Sequence, residues 1–267
     1  MENDRSGHLL ARSQAIFGAV PVSHPESPLR TSQATCRLVV VQDQLQPCPY
    51  LDSTVARMPL RLPLGVVTPA ITDELLANGF RRSGDLVYRT QCPECTECKP
   101  TRIEVDKFKL TSSMRRVINR GSRELTCHWN PPSVDDGRVA LFNKHRHLRE
   151  LGADTELISK DSYRSFLVDS CCDTRELAIC LDDKLIAVAI VDAGQSSVSA
   201  VYTYFDPDAS RFSLGTFAIL KQIEWAKQTE RRYVYLGMYV SANAHLNYKA
   251  RFAPQQRYQD DVWVDQS

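Results

Sequence analysis

A chain of 267 residues is long enough to bury a sizeable core, as one large domain or two small ones. With 43% hydrophobic residues, 24% charged residues and a net charge of +1, the composition is that of an ordinary soluble protein and excludes a strongly basic nucleic-acid binder, so any nucleic-acid contact must rest on local charge. The longest apolar run, Leu185 to Val191, is too short to span a bilayer, and the opening residues carry acids in place of a signal-peptide core, so a cytoplasmic protein with no membrane contact is expected.

Residues 1–34 are polar, carry Pro21, Pro25 and Pro28, and are expected to be poorly ordered. An amino-terminal region, 35–130, starts with a strand-like run at Cys36 to Val41 and a proline-rich, irregular stretch over 42–70. Thr72 is a plausible cap for a short helix that stops at Gly79. Strands are expected at Leu86 to Arg89 and Thr101 to Phe108, then a basic helix capped by Ser112 or Ser113 and ending near Gly121, then a strand at Leu125 to Trp129.

The third region, 131–267, reads as helices over 134–151 and Ser162 to Val168, then three strands, Leu177 to Leu181, Lys184 to Asp192 and Val198 to Phe205. Asp182-Asp183 and Gly194 to Ser197 supply the turns. A helix at Leu214 to Gln228, a strand at Tyr233 to Gly237, a short helix at Leu246 to Arg251 and a last strand near Tyr258 to Val264 follow. This element order resembles an α/β fold of the acetyltransferase-like (GNAT-related) kind, a mixed sheet with flanking helices, preceded by the smaller cysteine-containing region.

Nine cysteines, an odd number, fit a disulfide framework poorly. Cys92, Cys95 and Cys98 place three thiols within seven residues, a spacing that zinc or an iron–sulfur cluster accepts, with Cys48 as a fourth ligand. The alternative is a set of packed, metal-free thiols. From Lys99 to Arg123 there are eight basic residues against Glu104 and Asp106. Arg115, Arg116 and Arg120 share a helical face there that would hold phosphates or simply be solvated.

The tracts NGFRRSG (Asn78 to Gly84), CPECTECKPTRIEV (Cys92 to Val105) and SMRR (Ser113 to Arg116) resemble the amino-terminal half of the arginyl-tRNA–protein transferase family. VYTYFDP (Val201 to Pro207), SLGT (Ser213 to Thr216) and YKARF (Tyr248 to Phe252) resemble its carboxy-terminal half. The resemblance spans roughly residues 36 to 256, and the CxxCxxC form is similar to the bacterial aspartate/glutamate leucyltransferase branch. It implies an enzyme that moves leucine from leucyl-tRNA to proteins with amino-terminal Asp or Glu and so marks them for degradation. Arginine as the donor, and a non-catalytic metal- or redox-sensing RNA-binding module, are the alternatives.

Such a transfer needs alignment of two substrates, an oxyanion donor and a returned proton, and no cofactor. Asp206 could take the amine proton or serve as a strand-end turn residue, and Tyr202, Tyr204, Tyr235 and Tyr248 are candidate hydroxyl donors or stacking surfaces. Lys249, Arg251 and Arg102 could bind an acidic side chain or tRNA phosphate. Ser213, Gly215 and the helix start they belong to offer free backbone N–H groups. Leu214 and Thr216 stand where an acetyl-CoA loop needs small residues, which disfavours that donor.

Overall fold

The computed structural model describes residues 29–31, 34–149 and 156–266. In chain order the elements are β1 (Leu29–Thr31), β2 (Ala34–Gln42), β3 (Leu45–Pro47), β4 (Val55–Arg57), β5 (Leu60–Leu64), α1 (Pro69–Ala77), β6 (Arg81–Ser83), β7 (Leu86–Tyr88), β8 (Lys99–Glu104), α2 (Ser112–Glu124) and β9 (Leu125–Asn130). Then come α3 (Asp136–Leu148), α4 (Lys160–Tyr163), β10 (Thr174–Leu181), β11 (Lys184–Ala193), β12 (Ser197–Phe205), α5 (Leu214–Gln228), β13 (Tyr233–Tyr239), α6 (Ala244–Asn247), β14 (Gln255–Gln259) and β15 (Val262–Gln266). Among the described residues no helix is long and apolar enough to cross a membrane.

The main sheet is eight-stranded and mixed, in the order β15-β14-β8-β13-β12-β11-β10-β9. Asp182 and Asp183 both take positive φ, 47° and 63°, which fits the tight turn of the β10–β11 hairpin. β11 is buried without a break from Ile186 to Ala193 because helices cover both faces of the sheet. Ala187, Ala189 and Val191 face α2 and α5, whereas Val188 and Ile190 face Phe142 of α3, Tyr163 and Leu167. Helix α5 buries Leu214, Phe217, Leu220 and Ile223 against this sheet, each contributing about 1.5–3 kcal/mol of apolar transfer. Helix α2 crosses α5 so closely that a Cβ at Gly121 would overlap the Phe217 ring.

A smaller five-stranded sheet, β1-β2-β5-β7-β6, packs Cys36, Leu38 and Val87 against Ile71 and Leu75 of α1. A two-stranded ribbon, β3-β4, completes the strands.

The expected poorly ordered segment 1–34 lies outside the described residues apart from β1 and Ala34. The stretch read as irregular, 42–70, holds β3, β4 and β5, whose shortness and prolines (Pro47, Pro63) hide any alternation. Thr72 is not the cap of its helix: the Thr68 hydroxyl accepts from the Ile71 N–H, and Pro69 opens the first turn. Likewise Thr111, not Ser112 or Ser113, caps α2, its hydroxyl accepting from the Met114 N–H at 3.2 Å. The single last strand is a hairpin, β14–β15, turned by Asp260 and Asp261 at φ 49° and 60°. The expected boundary at residue 130 does not separate the two sheets. Strand β8 lies between β13 and β14 inside the main sheet, and β9 forms its far edge.

One irregularity positions the site. β12 and β13 are parallel and pair only from Ser197↔Tyr233 to Ser199↔Tyr235. Beyond that, β12 continues along β11 and β13 along β8, so the sheet opens into a V with Ser199 and Tyr235 at its apex. The register of β13 on β8 shifts between Tyr235 and Gly237, and Gly237 takes φ 89°, a conformation that only glycine adopts without strain.

Candidate active site

The apex of the V is polar and buried. Arg81 reaches it from β6: Nη1 donates to the Ser199 hydroxyl at 3.3 Å, and the guanidinium lies 5.8 Å from the Tyr235 ring centroid. Tyr235 is 2% exposed, and its hydroxyl accepts from Nη1 of Arg102 at 3.1 Å. Burial raises the Tyr235 pKa against the opposing pull of Arg102 and Arg81, which keeps the phenol protonated. Lys249 approaches from the turn after α6; its Nζ donates to the Met238 carbonyl at 2.8 Å and sits 5.1 Å from the Tyr248 ring centroid. Burial, with Arg81 second, pulls the Lys249 pKa down to about 7.

One arm of the V is aromatic. Tyr202 packs 5.5 Å from Phe142 and 5.5 Å from Phe166, and burial pushes its pKa up to about 12 against the nearby Arg146. Burial likewise raises the Tyr248 pKa against Arg149, whose guanidinium lies 5.7 Å from the Phe205 ring. Tyr204 is fully buried and shares a 2.5 Å hydroxyl contact with Tyr163, so it belongs to the core.

The remaining predicted residues are placed apart. Asp206 ends β12, accepts from the Asp208 N–H at 3.0 Å and pairs with Lys144 at 2.6 Å. Burial works to raise its pKa, but Lys144, the Asp208 N–H and Lys184 outweigh it and hold the carboxyl below its usual range. Arg102 is stacked between Tyr233 and Trp263, at 4.0 and 4.1 Å, and Nε donates to Gln256 at 2.7 Å, so its guanidinium is committed within its own sheet. Arg115, Arg116 and Arg251 are exposed. Ser213 starts α5 with φ 52° and is exposed, beside the basic end of α2, where Arg120 donates to the Arg211 carbonyl at 2.6 Å. A Cβ at Gly215 would meet the Phe205 ring at 3.4 Å, so Gly215 serves packing against β12.

All nine cysteines, each among the described residues, are free thiols. Cys48, Cys92 and Cys98 share one cluster with Met238 and Tyr88. Burial pushes the Cys98 thiol up to about 12, with Cys48, Cys92 and Cys95 adding to the effect. Cys48, Cys92 and Cys98 therefore share one neighbourhood, with Cys95 near enough to act on Cys98, and thiolates as donors suit a soft cation. Yet among the described residues no three His, Cys, Asp or Glu side chains converge as a ligand set, so a metal would have to draw these thiols together. Tyr88 and Met238 link the cluster to the apex, since Tyr88 acts on Arg81 and the Met238 carbonyl receives Lys249.

Sequence reasoning missed Arg81 and Arg146. Both lie in quoted or helical tracts, but only the folded chain brings Arg81 to Ser199, 118 residues away.

Residues 46–116 match the family described as arginine-tRNA-protein transferase, N terminus, and residues 137–259 match its C terminus. An aspartate/glutamate leucyltransferase of Acinetobacter baylyi is 36% identical over 217 residues, covering 81% of this chain and 80% of that protein. One of Vibrio cholerae serotype O1 is 34% identical over 218 residues, covering 81% and 92%. Among solved structures, FemX superposes with a TM-score of 0.49 at 9% identity over 87% of each chain, a likeness that bears no weight here.

Proposed function

The chain belongs to the arginine-tRNA-protein transferase family, and from that membership we propose that it moves leucine from leucyl-tRNA to the α-amine of proteins that begin with Asp or Glu. It is an aminoacyltransferase, and its substrates as a class are an aminoacyl-tRNA and a protein. The name shared by the relatives supports leucine as the donor and acidic residues as the acceptor. The character of the site is compatible with this: Tyr202, on the strand that leaves the apex, packs on Phe142 and Phe166 and gives that side an apolar character, and basic groups occupy the apex. The parallel pair that opens inside a mixed, helix-covered sheet supports the acetyltransferase-like (GNAT-related) reading of the fold. A role in marking proteins for degradation in the cytoplasm follows from the same reading.

In the reaction, the acceptor amine attacks the ester carbonyl, a C–N bond forms, the bond to the ribose oxygen breaks, and the amine proton ends on that oxygen. The amine has a pKa near about 8, so a useful fraction is neutral at physiological pH and a strong base is not needed. Tyr235, kept protonated, supplies a hydroxyl at the apex, and Tyr202 and Tyr248 stack on the donor. Asp206, whose pKa is lowered, acts by fixing the end of β12 through Lys144, a positioning role. The backbone N–H of Ser213 is spent on the Ser210 carbonyl at 2.9 Å, which leaves the exposed Ser213 hydroxyl and the Gly215 N–H at the start of α5, with the exposed Arg115, Arg116 and Arg251, to take tRNA phosphates, and Arg102 holds Tyr235 in place. Cys48, Cys92, Cys95 and Cys98 would hold zinc or an iron–sulfur cluster in a structural role; metal analysis of protein purified with and without oxygen tests this.

The observation that carries the proposal is the family match over both halves of the chain, with leucyltransferase relatives covering 81% of it. Purified protein is given leucyl-tRNA or arginyl-tRNA with peptides beginning Asp, Glu or Ala. Leucine transfer to the Asp and Glu peptides is expected; arginine transfer alone, or tRNA binding without transfer, overturns it.

A further inference from the structure

Arg81 and Lys249 are the least compensated charges at the apex. They are 7% and 5% exposed. They meet across Gly237: a Cβ there would lie 4.0 Å from Nη2 of Arg81 and 3.8 Å from Cε of Lys249. Of its five N–H donors, Arg81 uses Nη1 on Ser199, while Nε and Nη2 have no hydrogen-bond partner among the described residues. Of the groups acting most strongly on Arg81, three are tyrosines (Tyr88, Tyr235 and Tyr50). The one carboxylate, Asp192, is committed to Arg82 at 2.9 Å and to the Thr174 hydroxyl at 2.7 Å.

A buried guanidinium facing a buried amine without an anion between them is unfavourable, and a carboxylate placed there would compensate Arg81 and favour the protonated form of Lys249. The site has a floor as well. Gly237 has no side chain, so a ligand can lie against the strand backbone. On its α1 side the same guanidinium borders a cavity of about 20 Å³, room for roughly one water-sized group, shared with Ser199 and with the Asp192 carboxylate already held by Arg82.

Resting on the acyl-transfer reading above, we propose that Arg81 and Lys249 form the subsite that binds the side-chain carboxylate of the acceptor's first residue, with Gly237 as its floor. The planar fork of Arg81 accepts a carboxylate edge-on, and the flexible stem of Lys249 follows the extra methylene of Glu relative to Asp. Asn and Gln would set an amide N–H₂ against these donors and are rejected. The carboxylate brings the adjoining α-amine to the level of Tyr235 and Ser199, where the strands part.

The test uses the full chain with leucyl-tRNA and peptides differing only in a first residue of Asp or Asn. Arg81→Gln and Lys249→Met are each expected to lower kcat/KM for the Asp peptide by about 100-fold or more, mainly through KM, while the Asn peptide changes little. The Asp-to-Asn ratio therefore collapses, with leucyl-tRNA binding unchanged. Equal losses for both peptides would mean a general catalytic or structural role and overturn the subsite. Absence of leucine transfer by the unmodified protein would instead refute the function on which the subsite rests. A measurement on unmodified protein guards against misfolded variants. The Arg81 Nε–H signal in ¹⁵N NMR, assigned with Arg81→Lys, should shift on addition of an Asp dipeptide amide and not an Asn one. No shift with the Asp compound also overturns the proposal.

Discussion

Replacing Arg138 by Met tests how α3 is held on the main sheet. Glu176 in β10 is 0% exposed and accepts from Nε of Arg138 at 3.0 and 3.1 Å and from Nη2 at 2.5 Å. Arg138 also pairs with Asp135, the cap of α3. Truncating the arginine leaves a buried carboxylate without its cation, a change that costs about 3–5 kcal/mol. The Arg138 side chain is 17% exposed, so water reaches the vacated space and the lower end, about 3 kcal/mol, is expected. For a chain of this size the urea midpoint then falls by roughly 1 M with an unchanged slope. Arg138→Met combined with Glu176→Leu should recover at least half of the loss, because an apolar pair of similar volume is nearly neutral. Helix α3 also carries Arg146 beside Tyr202, so leucine transfer should fall in the single variant and return in the double. A single-variant cost below about 1 kcal/mol, or a double variant no better than the single, would refute the reasoning.

Three further outcomes are expected. Gly121→Ala should overpack α2 against the Phe217 ring and lose about 1–3 kcal/mol in chemical denaturation, with Phe217→Leu restoring part of it. Asp206 has a lowered pKa, so its contribution is present above the unfolded value near about 3.9 and is lost as pH falls through the folded one. Asp206→Asn should thus cost about 1 kcal/mol at pH 7 and nothing in strong acid, and keep most of kcat; a loss near that of a missing base would sink the positioning role. Between about 7 and 10.5 the unfolded chain holds a proton on Lys249 that the native chain does not, so stability of the unmodified protein rises with pH across that window. Lys249→Met, which leaves Arg81 and the Tyr248 ring facing an apolar group, should melt higher at pH 7 and lack that rise; a lower, equally pH-dependent melting temperature would contradict the burial argument.

Much of the second half was legible because its signals are local. The helix read as Leu214 to Gln228 has those same bounds, and the β10–β12 meander shows in its continuous apolar runs and its Asp-Asp turn. In the amino-terminal region β2, β7 and β8 were read close to their places, whereas β3, β4, β5 and β6 were not, since strands this short, two of them holding prolines, carry no period. The place of β8 was hidden for another reason. Its alternation identifies a strand but not its partners, β13 and β14, which lie far along the chain. For the candidate site, the sequence picked out Tyr202, Tyr235 and Lys249, residues on or just after the strands that part. It misjudged Arg102, because Tyr233 and Trp263 cannot be seen to sandwich it from spacing alone. Arg81 was passed over because its meaning depends on Ser199 and Gly237, which only the fold brings near.

The insertion of β8 between β13 and β14 has a consequence for synthesis. A ribosome releases β8 more than a hundred residues before its neighbours exist, so its hydrogen-bonding edges wait while the β10–β12 meander forms from local contacts. The V opens, and Arg81, Tyr235 and Lys249 meet, only after β13 and the turn following α6 have left the exit tunnel. The chain is therefore catalytically silent through most of its own translation, and chaperone occupancy on nascent chains should persist until β14 pairs with β8 at Gln256↔Arg102.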